Sequence, residues 1–167
     1  ASIVKELLEN AVDSGATNVT IEIRRGGKSL IRVTDNGCGI AAEDVPKAFL
    51  RHATSKISDQ DDLDRIGTLG FRGEALASIC AVAKVELLTK PAEQEYGTRY
   101  LIQGGEEVSL EPYGCSAGTT ILVRDVFYNV PARLKFLKKD VTEANSIQSI
   151  VDKIALSHPE VSFQMLR

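Results

Sequence analysis

The sequence has no tryptophan, a single methionine and only three cysteines among its 167 residues. Cys38, Cys80 and Cys115 are odd in number and widely separated, and none of them belongs to a CxxC pair. This pattern argues against a disulfide framework and against a zinc site. We therefore expect a reducing, cytoplasmic environment, and we expect Cys80, which lies in an apolar helical segment, to be a small core residue.

Long apolar segments are absent as well. No apolar run approaches the roughly 20 residues that a membrane-spanning helix needs. No basic segment followed by an apolar stretch indicates a signal peptide. The sequence pattern therefore predicts no membrane partner.

Neither sign of charge is in strong excess, because the sequence has 20 Lys and Arg residues and 23 Asp and Glu residues. The formal net charge is −3 and 43% of the residues are hydrophobic, which is enough for one good core. This mild acidity argues against nucleic-acid binding driven by overall charge, while a local basic patch stays open.

The first helical pattern covers residues 3–15 and carries an unusual polar stripe. Its apolar residues form one broad arc, as expected for a helix packed on a core. Glu6, Asn10 and Asp13 lie at i, i+4 and i+7, so they share one edge of that arc. Gly15 follows where a left-handed cap would end the helix. On the helix alone, a solvated edge is the simpler interpretation.

A predicted hairpin then brings a carboxylate towards the core. Val19–Arg24 alternates strictly and Leu30–Thr34 returns after a glycine turn. Period-two alternation puts Asp35 on the inward face, where a lone carboxylate is costly unless a partner satisfies it. Gly37 and Gly39 follow at once, and glycines allow the close approach of a flat ligand.

A second glycine-rich stretch, Gly67–Glu74, runs into an apolar helix predicted over Ala75–Val82. Such a junction presents free backbone N–H groups and suits phosphate. The stretch is neither GxGxxG nor GxxxxGK[ST], so it indicates neither a Rossmann fold nor a P-loop.

The remaining pattern predicts the fold class. Because most predicted strands are joined by hairpins, we expect an α+β fold. Its form is a two-layer α/β sandwich with a mixed, mostly antiparallel sheet and helices on one face. The further predicted strands are 84–89, 97–103, 107–111 and 121–124, and the further predicted helices are 43–51, a basic helix over 131–139, and 142–157.

Taken in order, these motifs resemble those of the GHKL ATPases. The pattern Glu6-x3-Asn10-x2-Asp13 is followed by Asp35-x-Gly37-x-Gly39, a glycine-rich lid and Gly118-Thr119. Within that superfamily, the strings GFRGEAL (70–76) and FYNVPAR (127–133) are similar to the MutL family of bacterial DNA mismatch repair proteins. The resemblance runs nearly end to end and implies the Bergerat fold that GHKL ATPases share.

The resemblance implies specific roles around an ATP and an Mg²⁺ ion. Glu6 matches the general base that activates water, and Asn10 matches the Mg²⁺ ligand. Asp13 matches the motif aspartate, whose role could equally be structural. Asp35 matches the residue that accepts a hydrogen bond from the adenine amino group, and Thr119 matches a threonine that helps to hold adenine.

The glycines and loops complete the implied site. Gly37 and Gly39 would let base and ribose lie against the backbone. The residues matching the loops around the phosphates are Thr54, Ser55, Lys56, Gly70, Phe71, Arg72, Gly73, Glu74 and Ala75. Both loops are expected to become ordered with nucleotide. Ser14 stands where alanine is usual in the family, and we expect this difference to be silent.

The resemblance also implies a larger assembly. We expect an ATPase domain over 1–157 and the start of a second domain at 158–167. The segment before Ala1 and the rest of the second domain contribute to the family's dimer and site. This chain alone is therefore expected to hydrolyse ATP weakly and to be monomeric. The full-length protein is expected to be a homodimer that acts with DNA, mismatch-recognition proteins and downstream repair proteins.

Two alternatives stay open. One is another GHKL module, either a topoisomerase ATPase or a histidine-kinase catalytic domain. The other is a binding module without catalysis, for which the basic segment with Arg133 and Lys135 could contact DNA.

Overall fold

The computed structural model of the chain describes residues 2–49 and 73–167. Within these residues, seven strands form one sheet in the order β5-β4-β3-β6-β2-β1-β7. The strands are β1 (Asn18–Arg24), β2 (Leu30–Asp35), β3 (Lys84–Lys90), β4 (Gly97–Gln103), β5 (Glu106–Tyr113), β6 (Gly118–Arg124) and β7 (Ser162–Leu166). The helices are α1 (Ser2–Asp13), α2 (Val45–Ala48), α3 (Gly73–Ala81), α4 (Pro131–Lys135) and α5 (Asp140–Ser157).

The sheet follows from the alternation of its strands. In β1, Val19, Ile21 and Ile23 are buried while the residues between them are not. All neighbouring strands are antiparallel except β1 and β7, which are parallel. The mixed, mostly antiparallel sheet is therefore confirmed, and the two-layer fold class with it.

Helices cover one face of the sheet. On α1 the buried residues include Val4, Leu7 and Leu8, and they join one core cluster with the inward strand residues and with Ile147 and Val151 of α5. This burial confirms that α5 is a core helix. Cys80 is 1% exposed in the same core, as predicted.

The end of α1 is set by a glycine. Gly15 adopts φ +81°, which is the left-handed conformation predicted for the cap. The Gly15 N–H donates to the Val12 carbonyl at 3.0 Å. The chain can therefore leave the helix and enter β1 within a few residues.

Charged side chains occupy the opposite face of the sheet. Arg99 Nε lies 2.6 Å from Glu86 Oε2, and Arg124 Nη1 lies 3.0 Å from Glu86 Oε1. Arg99 also contacts Glu111 at 2.8 Å, and Arg32 contacts Glu22 at 2.8 Å. We call these residues and Arg24 the outer ladder.

The predicted domain boundary at residue 157 stays a prediction. After α5, β7 pairs with β1 of the same sheet, with Val19 opposite Phe163. The segment 158–167 thus extends the sheet at its edge.

Helix α4 ends at Lys135, whereas the basic helix was predicted to reach residue 139. The guanidinium of Arg133 lies 4.5 Å from the centre of the Phe127 ring. In the described parts of the chain, no helix is long and apolar enough to cross a bilayer.

Candidate functional site

Three strand ends meet at one edge of the sheet. Asp35 is the last residue of β2, and it lies opposite Thr119 near the start of β6. Thr119 in turn lies opposite Thr89 near the end of β3. Asp35 and Thr119 are 84 positions apart in sequence and Thr89 and Thr119 are 30 apart, but antiparallel pairing returns each strand to this edge.

The two threonines form a buried hydrogen-bond chain. Thr89 is fully buried, and its Oγ1 lies 2.9 Å from Thr119 Oγ1. Thr89 Oγ1 accepts the Ile40 N–H at 2.9 Å and donates to the Gly118 carbonyl at 3.1 Å. With the single Thr89 hydrogen directed at the Gly118 carbonyl, Thr119 donates to Thr89. The remaining capacity of the Thr119 hydroxyl is therefore that of an acceptor.

Asp35 lies next to this chain and is largely buried. Burial raises the pKa of Asp35 from 3.8 to about 6, against the opposing effect of hydrogen bonds from the Gly37 and Thr119 backbones and the Ser14 side chain. The Gly37 N–H donates to Asp35 Oδ1 at 2.8 Å. Across residues 2–49 and 73–167, no ion pair involves Asp35. The inward position predicted for this carboxylate is confirmed, and among the described residues its charge faces polar donors without a cation.

Ser14 joins α1 to the loop after Asp35. The Ser14 carbonyl accepts the Cys38 N–H at 3.0 Å, and its hydroxyl donates to the Ala11 carbonyl at 2.7 Å. The Ser14 hydroxyl also lies against Gly37, where a Cβ would collide with it. The expectation that this serine is silent stays a prediction.

The two loop glycines are needed for protein packing. A Cβ on Gly37 would collide with the Ser14 hydroxyl, and one on Gly39 would collide with the Lys90 carbonyl. Gly39 also has φ +70°. Their freedom from a side chain lets the loop pack against α1 and β3, whereas the expected contact with base and ribose stays a prediction.

A small cavity lies between α1 and this edge. Its lining includes Asn10 and Ser14 of the α1 segment and Asp35, Gly39 and Thr119 of the strand ends. It leaves about 10 Å³ for the centre of a water molecule, which is room for one water. A purine would therefore require its walls to move apart.

Asn10 is the polar residue of α1 that faces the cavity. It is 4% exposed, and its Nδ2 has no hydrogen-bond partner in the described part of the chain. A buried amide without a partner is costly. Because amide oxygen and nitrogen are interchangeable by a flip, either atom can occupy this position.

The other two residues of the polar stripe lie further out. Glu6 is half-buried and Asp13 is exposed, and neither is among the residues that line the cavity. The predicted stripe therefore runs from a half-buried Glu6 through the cavity, at Asn10, to an exposed Asp13.

Only part of the predicted phosphate loops lies within the described residues. Gly73, Glu74 and Ala75 form the start of α3. The predictions for Thr54, Ser55, Lys56, Gly70, Phe71 and Arg72 fall outside the described residues.

Sequence reasoning missed Thr89 as a site residue. Thr89 reads as an ordinary strand residue, and its partners lie 30 and 49 positions away. Ser14, which directly follows the polar stripe of α1, is one of the residues that line the cavity. In the described residues, no group of three or more His, Cys, Asp or Glu side chains could hold a metal ion.

Comparison with known families matches residues 1–104 to the model described as histidine kinase-, DNA gyrase B- and HSP90-like ATPase. The match covers both α1 and the Asp35 loop. It therefore includes the residues that build the cavity from the N-terminal side.

Individual relatives are similar over nearly the whole chain. The chain is 56% identical to the DNA mismatch repair protein MutL of Agathobacter rectalis over 165 residues, covering 99% of this chain and 26% of that protein. It is 54% identical to MutL of Thermoanaerobacter pseudethanolicus, covering all of this chain and 27% of that protein. The chain thus spans about a quarter of the length of these curated relatives.

A solved structure shares the fold. The Aquifex aeolicus MutL ATPase domain complexed with ADP superimposes with a TM-score of 0.82 at 36% identity. The superposition covers 99% of this chain and 58% of that one.

Proposed function

Because the chain belongs to the family of histidine kinase-, DNA gyrase B- and HSP90-like ATPases, we propose that it is the ATP-binding and ATP-hydrolysing module of a MutL-type DNA mismatch repair protein. The observation that supports this proposal best is that, among the described residues, a partly buried carboxylate without a cation and a buried amide nitrogen without a hydrogen-bond partner line one cavity. Both groups are costly in the free protein and both are suited to a ligand.

Asp35 is the base-recognition residue in this proposal. An ionised carboxylate is a pure acceptor, so it matches the amino group of adenine and repels the carbonyl that guanine carries at the equivalent position. The Thr119 hydroxyl, which is left as an acceptor by its bond to Thr89, can face a second donor or a bridging water. Together the two groups favour adenine over guanine.

Asn10 is the proposed Mg²⁺ ligand. Mg²⁺ prefers oxygen, takes few protein ligands and shares its octahedron with phosphate oxygens and waters. With its amide flipped, the Asn10 oxygen would occupy the position that lacks a partner, so the residue fits this role. When bound, the ion would supply neutralisation of phosphate charge.

Glu6 is the proposed general base. It lies one helical turn before Asn10 on the same face of α1, so its carboxylate would approach the phosphate end of a nucleotide whose base lies at Asp35. Its role would be to accept the proton of the attacking water, a contribution typically worth about 10²–10⁴-fold in rate. Asp13 is exposed and is proposed only as a supporting residue.

The glycine-rich segments are proposed to cover the phosphates. Helix α3 begins at Gly73, directly after Gly70–Arg72, and a helix start presents free N–H groups. Ordering of this segment and of Thr54–Lys56 by nucleotide would couple ATP binding to dimerisation. In the full-length protein we propose a homodimer that acts with DNA, mismatch-recognition proteins and downstream repair proteins in the bacterial cytoplasm.

The direct test is isothermal titration calorimetry with Mg²⁺ and a non-hydrolysable ATP analogue, using the full-length protein. We expect saturable binding that weakens when Asn10 is replaced (Asn10→Ala), and the loss should shrink when Mg²⁺ is replaced by EDTA. Asn145→Ala, an exposed asparagine on α5, is the matched control. An absence of binding to the unsubstituted protein would overturn the proposal.

A further inference from the structure

We propose that Asn36 is a positioning residue for base recognition. Its side-chain amide anchors the loop after β2, keeps the Gly37 N–H on the Asp35 carboxylate, and so holds that carboxylate in the orientation that accepts the adenine amino group. The inference rests on the proposed function. It goes further by naming a residue that acts on the selectivity for adenine through Asp35.

The Asn36 side chain bridges the loop after β2 and the turn between α1 and β1. Its Oδ1 accepts the N–H groups of Thr17 at 2.8 Å and Asn18 at 2.9 Å. Its Nδ2 donates to Thr17 Oγ1 at 2.9 Å. Because two N–H donors converge on one amide atom, that atom is the oxygen, and the hydrogen bonds settle the orientation of the amide.

The backbone of Asn36 is held on two sides. Its N–H donates to the Asn18 carbonyl at 3.4 Å, which extends the β1–β2 pairing beyond Val19 and Asp35. On the other side lies Gly118, where a Cβ would collide with the Asp35 carbonyl and would lie 3.0 Å from Asn36 Cα. Asn36 is therefore fixed between β1 and the start of β6.

This anchor acts on Asp35 through one peptide group. The N–H that Asp35 Oδ1 accepts at 2.8 Å is that of Gly37, and it belongs to the peptide that joins Asn36 to Gly37. Rotation of that peptide would withdraw the donor from the carboxylate. Glycine offers little resistance to such a rotation, so the restraint comes from its neighbour.

Two further hydrogen bonds hold the rest of the loop. The Cys38 N–H donates to the Ser14 carbonyl at 3.0 Å, and the Ile40 N–H donates to Thr89 Oγ1 at 2.9 Å. Both donors are backbone groups, which a side-chain substitution in the loop leaves in place. The Asn36 amide lies nearest in sequence to the carboxylate and can be removed by substitution.

Removing this amide should loosen the loop and leave the fold intact. Asn36, Thr17 and Asn18 are all exposed, so water can replace the lost hydrogen bonds and no buried polar group is left unsatisfied. A carboxylate that is fixed before binding loses less conformational freedom when a ligand binds. A loosened carboxylate should therefore hold the adenine amino group more weakly.

The test pairs a protein change with a ligand change. Calorimetry compares ADP with purine riboside diphosphate, which lacks the adenine amino group, on the unsubstituted full-length protein and on Asn36→Ala. We expect Asn36→Ala to weaken ADP binding about three- to tenfold. Binding of purine riboside diphosphate should change less than about twofold, because this ligand makes no amino contact for Asp35 to lose.

The matched control is Asn145→Ala. Asn145 is also an exposed asparagine whose Oδ1 accepts a hydrogen bond from a distant residue, Arg167 Nη2 at 3.0 Å, but it lies on α5. This control should leave the binding of both ligands unchanged. Equal losses for both ligands in Asn36→Ala would show a general effect on the site and overturn the proposal, as would no loss for either.

A second measurement separates this proposal from the proposed function. Hydrogen–deuterium exchange with mass spectrometry is followed on the nucleotide-free full-length protein, in a peptide that contains residues 35–40. Asn36→Ala should speed exchange in this peptide, because the Gly37 N–H is released, and should leave α5 unchanged. Unchanged exchange in the loop would overturn the proposal whether or not ADP binds. Faster exchange in a protein that fails to bind ADP would overturn the proposed function and still support the anchoring role of Asn36.

Discussion

On the outer ladder, Glu86 lies between Arg99 and Arg124, at 2.6 and 3.0 Å, whereas Asp35 at the cavity edge has no such cation among the described residues. Burial acts to raise the pKa of Glu86, but the hydrogen bonds from the two arginines outweigh it and lower the pKa. At Asp35 burial outweighs the polar donors and raises the pKa to about 6.

Under the proposed function, this difference is that between a structural charge at Glu86 and a ligand-binding charge at Asp35. The charge of the Glu86 carboxylate is neutralised by two neighbouring arginines in the folded chain. The carboxylate of Asp35 receives hydrogen bonds but no ion pair from the described residues, so its burial lowers the stability of the fold. The same carboxylate can accept a hydrogen bond from a ligand. The following substitutions test this distinction.

The largest effect is expected from Glu6→Ala. This change should reduce ATP turnover by about 10²–10⁴-fold while leaving ATP affinity near normal, because the carboxylate acts on water and not on the base. Steady-state phosphate release and calorimetry on the full-length protein measure the two quantities. Glu9→Ala, on another face of α1, is the control, and surviving turnover in Glu6→Ala would show that the base assignment is wrong.

Asp35→Asn should weaken ATP binding by about 10- to 100-fold, the range for losing a charged acceptor. It should also stabilise the free protein at neutral pH. The folded pKa of about 6 lies above the reference of 3.8, so wild-type stability falls as the pH rises between these values. The full difference is on the order of 3 kcal/mol, at about 1.4 kcal/mol per pKa unit.

Urea unfolding of wild type and Asp35→Asn between pH 4 and pH 8 measures this stability difference. It should grow as the pH rises to about 6 and then stay level. Asp152→Asn, at an exposed position on α5, should show no such trend. A variant that loses stability at pH 8 would contradict the view that the carboxylate is held at a cost.

Thr89→Val removes the hydroxyl at the centre of the threonine chain. It leaves the Ile40 N–H without its acceptor, and an unsatisfied buried donor costs about 1–3 kcal/mol. Chemical unfolding should show this loss of stability. The ATP affinity should fall by a smaller factor than in Asp35→Asn, because Thr119 loses its hydrogen-bond partner. Thr20→Val, on β1 away from the cavity, is the control. An unchanged stability would exclude the hydrogen-bond chain.

The smallest effect is expected on the outer ladder. Glu86→Gln should lower the free energy of unfolding by about 1 kcal/mol at pH 7 and leave ATP binding unchanged. Because the folded pKa of Glu86 is lowered, its contribution is present above the unfolded pKa and is lost as the pH falls through the folded pKa. The two proteins should therefore converge in acid. A loss of ATP binding would break the distinction between the two regions.

Much of the fold could be predicted because its signals are local. Strict alternation located β1 and β2, and the same period placed Asp35 on the buried face before any partner was known. Gly15 ended the first helix as expected. These features depend on the spacing of apolar, polar and glycine residues that are close together in the sequence, and that spacing can be recognised directly.

The features that could not be predicted depend on contacts between residues that lie far apart in the sequence. Nothing near Thr89 indicates that β6 will place Thr119 beside it, and nothing near 162–166 indicates that β7 will pair with β1 in parallel. Ser14 packs against Gly37, which lies 23 positions later in the sequence. Pairing between distant segments decided each of these contacts.

Base discrimination by Asp35 is the claim on which the proposed function depends most directly. Calorimetric titration of the full-length protein with non-hydrolysable ATP and GTP analogues in Mg²⁺ measures it, first with wild type and then with Asp35→Asn. We predict that wild type binds the ATP analogue much more tightly than the GTP analogue and that the substitution removes most of this preference. Equal affinities in the wild type, or a preference that survives the substitution, would contradict the account.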